Sequence, residues 1–187
     1  MQEVYLEKFN TGHMDQVGYD TYCKLLDEVV KEMQGVEVKE EQDVQIDVNI
    51  SSYIPDEYIE NSSQKIEIYQ NIALARTEED IENVTDEMLD RYGQIPEEVN
   101  NLLEIARIKE LCKQAHVTKI SQRRESIVFN FDADSFKMEI VDILLKKYRN
   151  EIRFSPGKEP YVTYKVPENS DSVIVKKVKE FLKECIK

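Results

Sequence analysis

The sequence predicts an α+β fold, in which N-terminal helices precede two β-hairpin-plus-helix units that form a small, mainly antiparallel sheet covered by helices. Apolar residues recur at helical spacing in the first two-thirds of the chain. A strand, turn, strand and helix pattern then occurs twice in the last third. Of the 187 residues, 41% are hydrophobic, which is enough for a domain core although 34% are charged.

The first part of the chain is predicted to contain one helix that begins after Gly18, whereas residues 1–17 are polar and show no clear period. Apolar side chains between Tyr19 and Met33 follow helical spacing. Gly35 is expected to end this helix, because glycine commonly follows the last helical turn.

An acidic linker over residues 36–43 leads into a predicted strand over residues 44–50. Valine and isoleucine alternate there with polar residues, as expected of a half-buried strand. Pro55 interrupts the chain, and a helix is predicted from about Ser63 to Arg76.

Two further helices carry clear end signals. Thr77 followed by three acidic residues predicts an N-cap, and Gly93 is expected to cap the other end of that helix. Pro96 is predicted at the first position of the next helix. The apolar stripe of that helix is so broad that we expect contacts on more than one side.

The last third is predicted to contain two hairpins, each followed by a helix, within one sheet because a lone hairpin is only marginally stable. The predicted strands are residues 118–121, 126–131, 151–154 and 161–166, and the predicted helices are about 134–148 and 171–186.

The charge is distributed unevenly. Residues 1–116 carry 10 basic and 27 acidic residues, whereas residues 117–187 carry 15 and 11. A protein that binds the phosphate backbone of a nucleic acid would concentrate lysine and arginine on one face. The acidic part is therefore a poor candidate for nucleic-acid binding, and it is better suited to docking on a basic protein surface.

The composition indicates a cytoplasmic protein with no cofactor and no metal. The cysteines Cys23, Cys112 and Cys185 are odd in number and widely spaced, which favours a reducing compartment. Cys112 and Cys185 are expected to be buried on helical stripes. The sequence lacks the closely spaced Cys and His pairs that are typical of a zinc site. No apolar run approaches the roughly 20 residues that span a bilayer, and no membrane partner is expected.

No motif for an enzyme occurs in the sequence. Phosphate-binding glycine loops, nucleophile elbows and zinc-protease motifs are missing. We therefore expect no catalytic residues and no reaction.

The acidic pair selected as a candidate interaction site is Glu87 with Asp90, three apart on the helix that begins after Thr77. Both are expected to face outward, and Arg91 could pair with one of them. From spacing alone, an ordinary solvated face is the favoured interpretation.

The basic stretches are residues 119–124 and 146–149. They are interpreted as a hairpin turn and a helix C-terminus, where the helix dipole favours positive charge.

Several segments together resemble the bacterial transcription-repair coupling factors (Mfd). They occur in the order of that family, from about residue 11 to 120: residues 11–26, 54–59, 68–73, 87–96 and 102–106. The resemblance implies that residues 1–36 are the helical tail of the preceding motor lobe and that residues 37–187 are the C-terminal regulatory domain of an ATP-dependent DNA translocase. That translocase acts in nucleotide excision repair and removes stalled RNA polymerase.

The resemblance also implies a mechanism and partners. The family's C-terminal domain docks on the UvrB-homology module of the same chain and masks the surface that UvrA needs, until RNA polymerase is engaged. Glu87 and Asp90 match the family's acidic contact, and DNA is expected only through the parent motor.

We call this docking of a monomeric domain on its own parent chain the clamp. Two alternatives to the clamp remain open. The chain could be a general interaction or oligomerisation module acting in trans. It could also bind nucleic acid through its positive last third.

Overall fold

The computed structural model describes residues 44–168 and 170–186. The predicted tail over residues 1–36, its helix and the linker over 36–43 lie outside the described residues. Within the described residues the elements are β1 Gln45–Asp47, α1 Ser62–Leu74, α2 Glu78–Tyr92, α3 Glu97–Gln114, β2 Val117–Arg123, β3 Ser126–Phe131, α4 Met138–Tyr148, β4 Ile152–Ser155, β5 Tyr161–Lys165 and α5 Asp171–Cys185. The predicted α+β class is confirmed.

The described strands form one mixed sheet in the order β1-β2-β3-β5-β4. The two hairpins, β2–β3 and β4–β5, join through antiparallel pairing of β3 with β5, and β1 adds a parallel edge beside β2. The single, mainly antiparallel sheet predicted from the two hairpins is therefore confirmed.

One face of the sheet is buried beneath helices α4 and α5. The ring of Phe181 in α5 stacks on Phe129 of β3, with centroids 4.1 Å apart. Tyr148 of α4 lies 5.0 Å from Tyr164 of β5, again between ring centroids. Aromatic pairs at such distances stabilise a core beyond their area alone, so this cluster fixes both helices on the sheet.

Helix α3 is the central element between the sheet and the first two helices. It packs against α5 and β2, and also against α1 and α2. The prediction of contacts on several sides is confirmed, and even Asn101 is buried. The side-chain amide of Asn101 donates to the Ser51 carbonyl at 3.0 Å and to the Asp171 carboxylate at 3.2 Å.

The predicted ends of α2 are confirmed. The Thr77 hydroxyl accepts from the backbone N–H of Asp80 at 3.1 Å, and the Asp80 carboxylate accepts from the N–H of Thr77 at 2.9 Å. Gly93 follows the helix with φ of 81°, a region that favours glycine.

Some element bounds differ from the predicted ones. The strand predicted over 44–50 is short, because the Asn49 N–H donates to the Gln122 side chain at 2.9 Å rather than to a neighbouring strand. The helix predicted from 134 begins at Met138, because the Asp132 carboxylate holds residues 134 and 135 in a turn. Pro96 is the N-cap and not the first helical residue.

Two cysteines are buried in the described core, as predicted. Cys112 lies in α3 and Cys185 in α5. Burial raises the pKa of both thiols, that of Cys185 to about 12. Neutral thiols are poor nucleophiles, so both behave as small apolar core residues.

Candidate protein-docking surface

Helix α2 carries the predicted interaction residues on its last turns. Its apolar side chains Ile81, Val84 and Met88 are buried, which fixes the opposite side of the helix toward solvent. Three acidic residues in its first turn lie at the positive end of the helix dipole, where negative charge is stabilised. The sequence therefore specifies both the helix and its exposed acidic side.

The structure places Glu87 and Asp90 in different environments. Asp90 is exposed, whereas the Glu87 side chain is 36% exposed and pairs with Arg91. Positions three apart differ by about 60° around a helix, so the pair does not share one direction. Both side chains lie on the solvent side of the helix, Asp90 exposed and Glu87 partly exposed and turned toward Arg91.

Arg91 links α2 to α1. Besides Glu87, its guanidinium reaches the carboxylate of Glu67 in α1, with nitrogen and oxygen 3.5 Å apart. The hydrogen bond with Glu87 raises the pKa of Arg91. Arg91 is therefore engaged by acidic neighbours of its own domain, and Glu87 is partly neutralised.

A continuous acidic stripe lies beside these residues. Glu82, Asp86 and Asp90 are four apart, so they follow one line along α2, and all three are exposed. Leu89 is 45% exposed and lies next to this line. We call these four residues the acidic face of α2. Sequence spacing also predicts that Glu82 and Asp86 extend the negative surface around Glu87 and Asp90, whereas the exposure of Leu89 is visible only in the structure.

The acidic face is held on a fixed support. The Tyr58 hydroxyl lies 3.3 Å from the carbonyl oxygens of both Met88 and Gly93, at the end of α2. Arg107 of α3 donates to Glu78 in the first turn of α2 at 2.6 Å. Both ends of the helix are therefore tied to the rest of the domain, and its surface is preformed.

The basic stretches of the sequence are separated in the structure. Residues 119–124 belong to β2 and its hairpin turn, and residues 146–149 end α4. Lys147 pairs with Glu184 of α5 at 2.8 Å. The second stretch is therefore engaged at least partly within the domain.

The described part of the chain contains no group of three or more His, Cys, Asp or Glu residues suited to a metal ion. Among its helices, none combines the length and apolarity that a membrane crossing needs.

Sequence comparison relates the chain to one family. The sequence model of the TRCF domain matches residues 48–156. A transcription-repair-coupling factor of Borreliella burgdorferi is 30% identical over 165 residues, which are 87% of this chain and 15% of that protein. The factor of Bacillus subtilis is 37% identical over 117 residues, 62% of this chain and 10% of that protein. The chain thus spans a small part of these relatives.

Structural comparison gives the same fold. The crystal structure of a C-terminal domain of transcription-repair coupling factor superposes with a TM-score of 0.70 at 22% identity, covering 77% of this chain and 92% of that one. The matched TRCF segment spans more than half of the chain, from the residue after β1 through the end of β4. The chain therefore belongs to the TRCF domain family, found in transcription-repair coupling factors.

Proposed function

We propose that this domain is a non-catalytic regulatory module of a transcription-repair coupling factor in the cytoplasm. In this proposal it docks on the UvrB-homology module of the same parent chain and covers the surface that UvrA requires. Engagement of RNA polymerase by the parent motor would release it. The observation that carries the proposal is the preformed acidic face of α2 in a chain of this family.

Charge supports a basic partner surface. Glu82, Asp86 and Asp90 are exposed, and no described side chain forms an ion pair with any of them. Complementary charge speeds encounter and fixes orientation more than it adds affinity. The acidic face is therefore suited to orienting an arginine-rich patch.

Leu89 supplies the apolar part of the proposed contact. Binding energy at interfaces concentrates in a few side chains that become fully desolvated, surrounded by polar residues. Leu89 is 45% exposed and has the acidic stripe beside it. Its burial on docking would add to the electrostatic contribution.

The proposal is tested with the isolated UvrB-homology module and two matched variants of this chain. Asp86→Lys with Asp90→Lys reverses the acidic face. Glu139→Lys with Asp142→Lys makes the same charge change on α4, at exposed positions three apart. We expect at least tenfold weaker binding for the first variant only, and weakening of wild-type binding by salt.

The same reversal in the whole parent protein should raise its affinity for UvrA. Equal binding of both variants to the module, or unchanged UvrA affinity with the fold intact by circular dichroism, would contradict the clamp. Sedimentation velocity of this chain should show a monomer. A concentration-dependent dimer would instead favour a module that acts in trans.

A further inference from the structure

The face of the sheet that points away from α4 and α5 carries basic, polar and aromatic side chains. Pairing register places alternate residues of the strands on this side, and we call it the outer sheet face. Its members are Gln45, Asp47, Lys119, Ser121, Arg123, Ser126, Val128, Asn130, Arg153, Ser155, Tyr161, Thr163 and Lys165.

The outer sheet face is positive in a chain whose net charge is −13. Lys119, Arg123, Arg153 and Lys165 lie on it with one carboxylate, Asp47. Arg123, Arg153 and Lys165 are exposed, and Lys119 is half-buried. None of the four cations pairs with a side chain of another described residue. This contrasts with Arg91, Arg107 and Lys179, which are paired within the domain.

Strand pairing brings these cations together from distant parts of the sequence. Ser126 of β3 pairs with Arg123 of β2 on one side and with Lys165 of β5 on the other. Neighbouring strands are about 4.8 Å apart, so the two cations flank a gap of about 10 Å. Arg153 lies on the edge strand β4. The patch therefore joins Lys119 and Arg123 of the basic stretch 119–124 to Arg153 and Lys165, which are distant from it in sequence.

An aromatic side chain completes the surface. Tyr161 is 37% exposed and pairs with Asn130, which in turn pairs with Lys119. At the centre of the face Ser121 and Val128 are buried and Thr163 is half-buried, so the exposed cations and Tyr161 form its accessible part. Sheets that bind single strands combine an exposed aromatic ring for base stacking with nearby cations and hydrogen-bonding side chains.

We propose that the outer sheet face binds single-stranded nucleic acid, with Arg123, Arg153 and Lys165 contacting phosphates and Tyr161 stacking on a base. The aromatic ring favours a nucleic acid over an acidic protein segment, for which charge alone would suffice. The acidic face of α2 is part of a pair of helices that packs on α3, so the two surfaces use different elements. The proposal is independent of the clamp.

The test measures binding of the 187-residue chain to a fluorescein-labelled oligothymidylate by anisotropy at 50 to 200 mM salt. Three phosphate contacts predict a slope of log affinity against log salt of about −2 for a single strand. Arg123→Glu with Lys165→Glu should weaken binding at least tenfold and leave a slope of about −0.7. Tyr161→Ala should weaken it about fivefold or more, and Tyr161→Phe should bind like the wild type.

The matched control is Lys176→Glu with Lys183→Glu, which makes the same charge change at exposed positions of α5. It should leave affinity within about twofold. The proposal is overturned by absence of binding at 50 mM salt, by equal losses in both double variants, or by an inert Tyr161→Ala. Equally tight binding of a duplex or of polyglutamate, measured in competition, also overturns it.

Discussion

Two side chains at the start of α2 show how single residues set the position of the acidic face. Thr77 and Asp80 each accept a hydrogen bond from the other's backbone N–H. Asp80 also accepts from the Arg76 N–H at 2.9 Å. These hydrogen bonds satisfy donors that the first helical turn cannot pair internally. They hold the pKa of Asp80 below its ordinary value.

Removing the Thr77 hydroxyl is expected to destabilise the domain. Thr77→Ala should lower the free energy of unfolding by about 1 kcal/mol, whereas Thr77→Ser keeps the acceptor and should change it little. Urea denaturation at pH 7 measures both. Equal stability of the alanine and serine variants would show that the capping box contributes nothing.

The Asp80 carboxylate predicts a pH dependence with a definite sign. Its pKa is lower in the folded state, so its contribution is complete above the unfolded value of about 3.9 and is lost as the pH falls through the folded value. The melting-temperature difference between wild type and Asp80→Asn should therefore be largest near neutral pH and shrink toward pH 2.5. A difference that is independent of pH would contradict this assignment.

At the scale of the elements, Asn101 joins three segments that are distant in sequence. It donates to the Ser51 carbonyl and to Asp171, whose carboxylate also accepts from the Ser51 N–H at 3.0 Å. This network connects the loop after β1, α3 and the first turn of α5. Since Asn101 is 4% exposed, these hydrogen bonds form largely away from water.

Substitutions at Asn101 should separate hydrogen bonding from charge. Asn101→Ala removes the donor and should cost about 1–3 kcal/mol. Asn101→Asp also places a second carboxylate beside Asp171, so it should be more destabilising at pH 7. Thermal unfolding at pH 7 and pH 4 measures this, and the penalty of the aspartate variant should be smaller at pH 4. Equal stability of the two variants at pH 7 would argue against the network.

The elements that the sequence predicted well are those whose signals are local. The helix after Thr77 combines a capping box, an apolar stripe and a terminal glycine, and its bounds agree with prediction. The end of β1 depends instead on Gln122, which is distant in sequence and accepts the Asn49 N–H. Likewise, spacing selected Glu87 for the candidate site, but the contact of Arg91 with Glu67 of α1 is a tertiary feature. Pairing of the two hairpins was predictable, whereas the parallel partner of β1 was not.

At the scale of the whole molecule, one connected core joins every described helix and strand. Its buried members extend from Ile46 in β1 through Ile68 in α1 and Met88 in α2 to Phe181 and Cys185 in α5. The first two helices bury their apolar sides in the same core as the sheet. The acidic face of α2 and the outer sheet face therefore lie on one cooperative unit.

A single core predicts a single unfolding transition for the described part of the chain. Far-ultraviolet circular dichroism, which reports mainly helices, and tyrosine fluorescence should give coincident urea curves. Ile68→Val, a change in α1, should lower the free energy of unfolding by about 0.5–1.5 kcal/mol, by the same amount for both probes. Separate midpoints, or a variant that shifts the dichroism curve alone, would show that α1 and α2 unfold independently. In that case the acidic face could detach without loss of the sheet, and docking could be regulated by local unfolding of the two helices.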